Sequence, residues 1–412
     1  MKARLVAAGY ALGWSVLCRV PERVSAAVFR MVADIAWRRQ GPGIRVLEGN
    51  LTRVLGPGVT GKELRAVSRE AMRSYARYWL EIFRLPVMDT DQLVARTDEV
   101  GRVDELLKNL ESGRGVVVPL PHMGNWDQAA VWVINRGAGS FTTVMERLEP
   151  ASVYERFLGF RQGLGMEVLP ATGGPHPFGV LAQRLRAGRL VALPCDRDVT
   201  GSGIEVDFFG EKALMMGGPA ALAVQTGAAL MPATIWFDGD RWGVRIHEEI
   251  PVPAAGDRRQ KAAEMTQEVA RAFEQGIREH PADWHMLQRV FVADLDPERL
   301  ASARARVAAR GRAAENKSAA GNPIDSGQIG PIDSGPIDSG PIDSGPIDSG
   351  PIDSGPIDSG LVGSVPVTSP SADAEPVSAD LVGSVEGGTG GGGTGDSRTG
   401  RGGTGESGAN GP

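Results

Sequence analysis

The chain has 412 residues and carries 44 basic and 50 acidic side chains, so its net charge at pH 7 is −6. This balance argues against a nucleic-acid-binding protein, which needs an excess of positive charge. The two cysteines, Cys18 and Cys195, are too few for a disulfide framework and have no metal-ligand spacing. A reducing, cytoplasmic setting is therefore the default.

The composition changes near Gly311. The unit Pro-Ile-Asp-Ser-Gly occurs six times without a break from Pro331 to Gly360, and runs of Gly, Ser and Thr follow. Such units cannot bury a core, so we expect disorder. Residues 311–412 carry 14 acidic and 4 basic side chains, which leaves 36 acidic and 40 basic on residues 1–310. That mildly basic part suits an anionic membrane surface or a phosphorylated substrate, but its charge is too weak to indicate nucleic acid.

The N-terminal segment is apolar with interspersed arginines. Arg4 and Arg19 enclose 14 uncharged residues. As a helix these residues would span roughly 21 Å, less than the roughly 30 Å of a bilayer core. Residues 23–39 continue with apolar and aromatic side chains beside arginines. This pattern is typical of a pair of interfacial membrane helices, although two ordinary core helices would show it equally well.

Strand-like and helical patterns alternate between this segment and the tail. The apolar runs typical of strands are Val116–Val118, Phe141–Val144, Glu167–Pro170, Leu190–Leu193, Leu230–Trp236 and Trp242–Ile246. The helical periods cover 62–84, 101–113, 127–137, 176–187 and 260–279. The alternation predicts an α/β fold with a mixed β-sheet flanked by helices, and with its site at the carboxyl edge of the sheet. We place this domain at 46–305, between membrane-associating amphipathic helices at 1–45 and a disordered tail at 306–412.

One stretch of the predicted sheet carries a catalytic pattern. The apolar run that starts at Gly115 delivers His122, and Asp127 follows five residues later, where a helix begins. A neutral imidazole can take a proton from a hydroxyl, and a carboxylate can fix its tautomer and stabilise the imidazolium. However, Asn125 and Asp127 also suit a helix cap, so a cap beside a buried histidine explains the same spacing.

A second strand ends in Cys195-Asp196-Arg197-Asp198. Cys195 suggests an acyl-enzyme, but a lone cysteine after a strand is more often structural. The chain also has no Gly-x-Ser-x-Gly elbow. The charged residues at this strand end belong to the edge of the sheet where α/β sites form.

Several short blocks now stand in one order along the chain. They are His122-x-x-x-x-Asp127, Arg161 after an aromatic helix, Asp196-Arg197-Asp198, Val206–Gly210, Met231-Pro232 and Pro281-x-x-Trp284. Together they resemble the lipid A biosynthesis (lauroyl/myristoyl) acyltransferase family of the glycerolipid acyltransferase superfamily. The likeness is strongest to its actinobacterial branch that acylates phosphatidylinositol mannosides, through Leu120–Asp127, Phe141–Leu148 and Asp283–Gln288. It covers roughly residues 5–300 and none of the tail.

The resemblance implies transfer of a long acyl chain from acyl-CoA to the 6-hydroxyl of a mannose on a phosphatidylinositol mannoside. It implies a peripheral enzyme on the cytoplasmic face of the plasma membrane that needs no cofactor and no metal. The implied general base is His122, which activates the acceptor hydroxyl for direct attack without a covalent intermediate. The acidic residue that contacts this histidine in the family is often Glu, and here it is the shorter Asp196. Asp127 and Asp196 therefore both remain candidate partners, with Asp198 as a substitute.

The resemblance also assigns substrate contacts. Arg161 would neutralise the donor's phosphates or the developing oxyanion, and Glu146 would bind acceptor hydroxyls. Ser202, in a turn flanked by glycines, would contact the CoA moiety, and Gln225 would face the same groove. Each of these residues also has an ordinary structural role open to it, such as a surface ion pair for Arg161.

Three other functions fit parts of the same sequence. The first is acyl transfer to another glycolipid, such as a lipid A precursor. The second is an acyl-CoA thioesterase, in which the His–Asp pair acts on water. In the third, a membrane-bound protein has lost catalysis and works through its tail.

Overall fold

The computed structural model describes residues 13, 14, 16–146, 151–171, 177–198, 203–298, 300–302, 304, 305 and 309. The rest of the tail, for which the sequence predicts disorder, lies outside this set. Within the described part, no helix is both long enough and apolar enough to cross a membrane.

The first three helices with described bounds are α1 (Glu22–Arg39), α2 (Pro42–Leu55) and α3 (Gly61–Arg84). Helix α3 begins with a capping box, in which the Thr60 hydroxyl accepts the N–H of Glu63 at 3.2 Å. The Glu63 carboxylate accepts the N–H of Thr60 at 2.9 Å in return. These bonds satisfy two amide groups that a helix start leaves unpaired.

The three helices pack together through one apolar cluster and one ion-pair cluster. Asp34 of α1 accepts four hydrogen bonds of 2.5–3.0 Å from Arg69 and Arg73 of α3. The shared apolar cluster consists of Ala33, Ile44, Leu47, Leu51, Ala71 and Met72. The boundary that the sequence suggested at residue 45 falls inside α2.

Ten strands lie in the described residues, and they form three sheets. Their bounds are β1 (Thr97–Gly101), β2 (Val116–Leu120), β3 (Phe141–Met145), β4 (Met166–Pro170), β5 (Leu190–Pro194), β6 (Ile204–Phe208), β7 (Glu211–Met215), β8 (Ala229–Leu230), β9 (Ala233–Asp238) and β10 (Arg241–Ile246). The central sheet is parallel, in the order β4-β3-β5-β2-β8. A second sheet has β1 parallel and β9 antiparallel to β10, and β6 and β7 form a hairpin. The α/β fold with parallel and antiparallel strands is as predicted.

The remaining helices connect and cover these sheets. They are α4 (Thr90–Ala95), α5 (Val103–Glu111), α6 (Trp126–Val133), α7 (Ala151–Gly163), α8 (Pro177–Arg186), α9 (Gly218–Thr226) and α10 (Arg258–Glu279). The long helices predicted at 62–84 and 260–279 are confirmed. Helix α6 ends earlier than expected, at Val133, and a π-helical turn replaces its last part.

Strand β2 explains why the central sheet forms. All five of its residues are buried. Val116 and Val118 point into one core cluster and Val117 into the other, because successive side chains of a strand face opposite sides of the sheet. A continuous apolar run with β-branched residues is what a parallel strand buried on both faces requires.

The sequence predicted one strand over Leu230–Trp236, whereas the structure has two. Strand β8 ends at Leu230, and β9 begins at Ala233 in the other sheet. Pro232 lies between them and has no N–H to donate to a sheet ladder. The interruption lets the chain pass from the central sheet to the second sheet.

The order of the parallel strands sets the position of the candidate residues. His122 comes two residues after β2, Glu146 directly after β3, and Asp196 two residues after β5. Since β5 lies between β3 and β2, all three residues lie at one carboxyl edge, with Asp196 in the middle.

Candidate active site

His122 is fixed by its main chain on both sides. Its N–H donates to Asp196 Oδ2 at 2.9 Å, and its carbonyl accepts the N–H of His285 at 2.8 Å. The residue is 9% exposed at the end of the sheet. Trp126 stands edge-on to the imidazole, with ring centroids 5.6 Å apart.

The imidazole pairs with Asp196. His122 Nδ1 lies 2.5 Å from Asp196 Oδ1, and the carboxylate is completely buried. Burial favours the neutral acid, but the charge of His122 and the hydrogen bonds from His122 and Trp284 outweigh it and lower the pKa of Asp196. A carboxylate accepts, so Nδ1 carries the proton and Nε2 is left as the acceptor.

The short Asp side chain reaches the imidazole because the backbone carries it there. Beyond the end of β5, the N–H of Cys195 donates to the carbonyl of Leu120 at 3.0 Å. This bond extends the pairing of β5 with β2 by one residue and brings Asp196 beside His122. Of the two partners that the sequence left open, the structure places Asp196 on the imidazole.

The turn after His122 requires glycine. Gly124 has φ of 58°, in the left-handed region, and a Cβ there would lie 2.6 Å from the carbonyl oxygen of Ile235. The N–H of Gly124 donates to the carbonyl of Asp283 at 2.9 Å. The turn therefore ties the strand that carries His122 to the segment around Trp284.

Asp127 is buried beside Arg161 of α7. Arg161 Nε and Nη2 donate to its two oxygens at 2.7 and 3.0 Å, and the Tyr78 hydroxyl donates at 3.3 Å. Burial lowers the pKa of Arg161, but the charge of Asp127 outweighs it and raises that pKa above its ordinary value. Asn125, not Asp127, caps α6, since its side chain accepts the N–H of Gln128 at 3.0 Å. The Arg161 guanidinium, which the resemblance assigned to a substrate anion, is thus paired with Asp127.

Three other residues that the sequence placed in or near the site are Glu146, Asp198 and Ser202. Glu146 lies half-buried at the end of β3, on the same edge as His122. Asp198 closes a turn by accepting the N–H of Gly203 at 2.7 Å. Ser202 lies outside the described residues.

Gln225 lies at the opposite edge of the sheet, which corrects the expectation that it faces the substrate groove. It is exposed near the end of α9. The carbonyl of Gly227, two residues later, accepts from Arg114, which precedes β2. Strand β8 then pairs with the first two residues of β2. The sequence showed a polar residue on an apolar helix but not the direction in which that helix runs.

Trp284 contacts Asp196 directly, a role that the Pro281-x-x-Trp284 block in the sequence did not indicate. Its indole N–H donates to Asp196 Oδ2 at 2.9 Å, and the residue is completely buried. A buried tryptophan needs a hydrogen-bond partner for its N–H, and this requirement is the only signal in the sequence for the contact with Asp196. The neighbouring segment is anchored on α3, where the Ser74 hydroxyl donates to Asp283 at 2.5 Å and lies 2.8 Å from His285 Nε2. Burial raises the pKa of Asp283 to about 6 and lowers that of His285 to about 3.

Comparison with known proteins shows the family of this chain. Residues 3–292 match the family model described as bacterial lipid A biosynthesis acyltransferase. The chain belongs to the bacterial lipid A biosynthesis acyltransferase family. It is 47% identical over 296 residues to a protein of Mycolicibacterium smegmatis named phosphatidylinositol mannoside acyltransferase, covering 71% of this chain and 93% of that one. Proteins of the same name from two Mycobacterium tuberculosis strains are 46% identical over 301 residues, covering 72% of this chain and 92% of theirs.

The two carboxylates of this enzyme therefore do different work. Asp196 holds the imidazole that can accept a hydroxyl proton, whereas Asp127 neutralises the partly buried guanidinium of Arg161 and joins α6 to α7. No group of three or more His, Cys, Asp or Glu side chains within the described residues is arranged to hold a metal ion.

The buried ion pair predicts a stability effect for Asp127→Asn. The substitution keeps the shape but leaves Arg161 without its counter-charge, so we expect the free energy of unfolding to fall by about 3 kcal/mol in urea titration. The matched control is Asp98→Asn, which removes an equally bidentate but exposed pair with Arg241. We expect that control to change stability by less than about 1 kcal/mol. Wild-type stability of Asp127→Asn would contradict the role given to this carboxylate.

The indole bond to Asp196 predicts a shift in the pH profile. Trp284→Phe removes one donor to the carboxylate, so the His122–Asp196 pair holds its proton more tightly and the acid limb of acyl transfer moves to higher pH. We expect about a tenfold lower rate near the foot of that limb. Trp132→Phe is the control, since Trp132 is equally buried and donates to Glu99 instead. An acid limb that moves no further in Trp284→Phe than in the control would refute the positioning role.

Proposed function

We propose that this enzyme transfers a long fatty acyl chain from acyl-CoA to the mannose 6-hydroxyl of a phosphatidylinositol mannoside, with His122 as general base. The proposal rests mainly on the His122–Asp196 pair at the carboxyl edge of the sheet. The choice of substrate is supported by relatives that are named for this glycolipid, since the matched region covers 92–93% of their length.

The proposed reaction is a direct acyl transfer. His122 Nε2 takes the proton of the acceptor hydroxyl as its oxygen bonds to the thioester carbon, and the carbonyl electron pair moves onto oxygen. When that pair returns, the C–S bond breaks and the CoA thiolate receives the proton from the imidazolium. Asp196 stabilises the imidazolium between the two steps.

Cys195 supports the route without a covalent intermediate. It stands next to Asp196 but is only 2% exposed. Burial, together with the charge of Asp196, raises the pKa of its thiol well above the ordinary value. A neutral thiol is a poor nucleophile, so acyl transfer through this cysteine is disfavoured.

Helix α1 supports a peripheral position on the membrane. Val24, Val28, Met31 and Val32 are each 46–56% exposed, and their spacing places them along one side of the helix. The side chains Arg23, Arg30, Arg38 and Arg39 are exposed on the same helix. Exposed apolar residues beside arginines are typical of a helix that lies in an anionic membrane surface. We propose that α1 rests on the cytoplasmic leaflet of the plasma membrane, where a lipid acceptor is available.

The function is tested by identifying the product. The enzyme is incubated with palmitoyl-CoA and, separately, a phosphatidylinositol mannoside, a lipid A precursor or no acceptor, and products are analysed by mass spectrometry. We expect acylated mannolipid from the wild type and a rate about 1,000-fold lower for His122→Ala, because the base is removed. His247→Ala is the control, since His247 binds Thr234 on β9 instead. Acylation of the lipid A precursor alone, free fatty acid alone, or near wild-type transfer by His122→Ala would each contradict the proposal.

The membrane face is tested with a matched pair of valines. Val28→Glu on α1 and Val252→Glu outside it alter side chains of similar exposure, 46% and 42%. We expect Val28→Glu to reduce co-sedimentation with anionic vesicles at least about tenfold, since burial of one valine side chain is worth about 1.5 kcal/mol. Val252→Glu should bind as the wild type does. Equal binding by both variants would show that α1 does not rest on the lipid.

A further inference from the structure

Arg197 is a buried charge at the catalytic edge. It directly follows Asp196 and is 6% exposed. Its Nη2 is buried and has no hydrogen-bond partner in the described part of the chain. A guanidinium stays protonated in proteins, and an unsatisfied buried charge is costly, so such a group is retained where something else supplies its partner.

The neighbouring acidic residues do not supply that partner at Nη2. Burial lowers the pKa of Arg197, against the opposing charges of Glu146 and Asp196. Asp196 already accepts three hydrogen bonds, two from His122 and one from Trp284. Arg161, a partly buried guanidinium of this region, is held bidentately by Asp127. Arg197 Nη2 is thus a buried donor without a partner in the described part of the protein, on the residue that follows Asp196.

The strand order places the backbone of Arg197 between the two sides of the site. Arg197 comes three residues after the end of β5, which lies between β2, followed by His122, and β3, followed by Glu146. Acyl transfer at His122 brings negative oxygens to this edge: the phosphoryl groups of the substrates and the thioester oxygen once the carbonyl electron pair has moved onto it. A guanidinium in a water-poor site stabilises such an oxygen strongly.

We propose that Arg197 is the anion-binding residue of the acyl-transfer site, with Nη2 donating to a negatively charged oxygen of the bound substrates. This inference rests on the proposed acyl transfer. It assigns Arg197 a direct contact with substrate, whereas Trp284 acts only through Asp196.

The test uses Arg197→Lys and Arg197→Ala with palmitoyl-CoA and phosphatidylinositol mannoside. We expect kcat/KM to fall about 100-fold in Arg197→Ala and about tenfold in Arg197→Lys, which keeps the charge but loses the planar fork. A fall in kcat alone assigns the contact to the oxyanion, and a rise in KM for one substrate assigns it to that substrate's phosphate. Methylguanidinium in the buffer should restore part of the activity of Arg197→Ala, which a merely structural role would not allow.

Arg184→Ala is the control, because Arg184 is half-buried and paired with Glu167 away from this edge. Melting curves establish that each variant is folded, and if Arg197→Ala is not, Arg197→Lys decides. Folded variants within about threefold of wild-type kcat/KM overturn the proposal for Arg197. A wild type that acylates no mannolipid overturns the proposed function instead, and activity abolished by His122→Ala but not by Arg197 substitution overturns only this inference.

Discussion

The site depends on the completely buried carboxylate of Asp196. Its two oxygens take the ring nitrogen and main-chain N–H of His122 and the indole N–H of Trp284. These bonds join β2, β5 and the C-terminal segment of the fold at one point. A carboxylate without water can remain ionised only with such donors, so the same contacts that keep its charge also fix the direction of the imidazole. Catalytic geometry and the packing of three distant segments are therefore one constraint.

The charged residues around Asp196 have separate partners and roles. Asp127 and Arg161 neutralise each other beside Tyr78, whose ring is tilted against that of Trp126 with ring centroids 4.1 Å apart. Asp196 is committed to the imidazole. Arg197 is a buried cation whose Nη2 has no hydrogen-bond partner among the described residues. An acyl-transfer site needs a base, a fixed tautomer and positive charge for a developing oxyanion, and these roles fall on adjacent strand ends.

The sequence predicted those parts that depend on local patterns. The valines of β2 have the composition of a strand buried on both faces, and the helical period over 62–84 matches α3. It could not choose between Asp127 and Asp196, because one is five residues from His122 and the other is 74 residues away, in contact only through the order β3-β5-β2. The Trp284 bond to Asp196 spans 88 residues and depends on the same long-range packing. Gln225 was misplaced because helix periodicity does not show at which edge of a sheet a helix ends.

The central claim is that Asp196 holds His122 with the proton on Nδ1 and Nε2 free to act as base. Nitrogen NMR of the enzyme with isotope-labelled histidine tests it directly, with the His122 signal among the five histidines assigned by its loss in His122→Ala. We expect a protonated Nδ1 and an unprotonated Nε2 at alkaline pH, and loss of this preference in Asp196→Asn. A proton on Nε2, or a tautomer unchanged in Asp196→Asn, would contradict it.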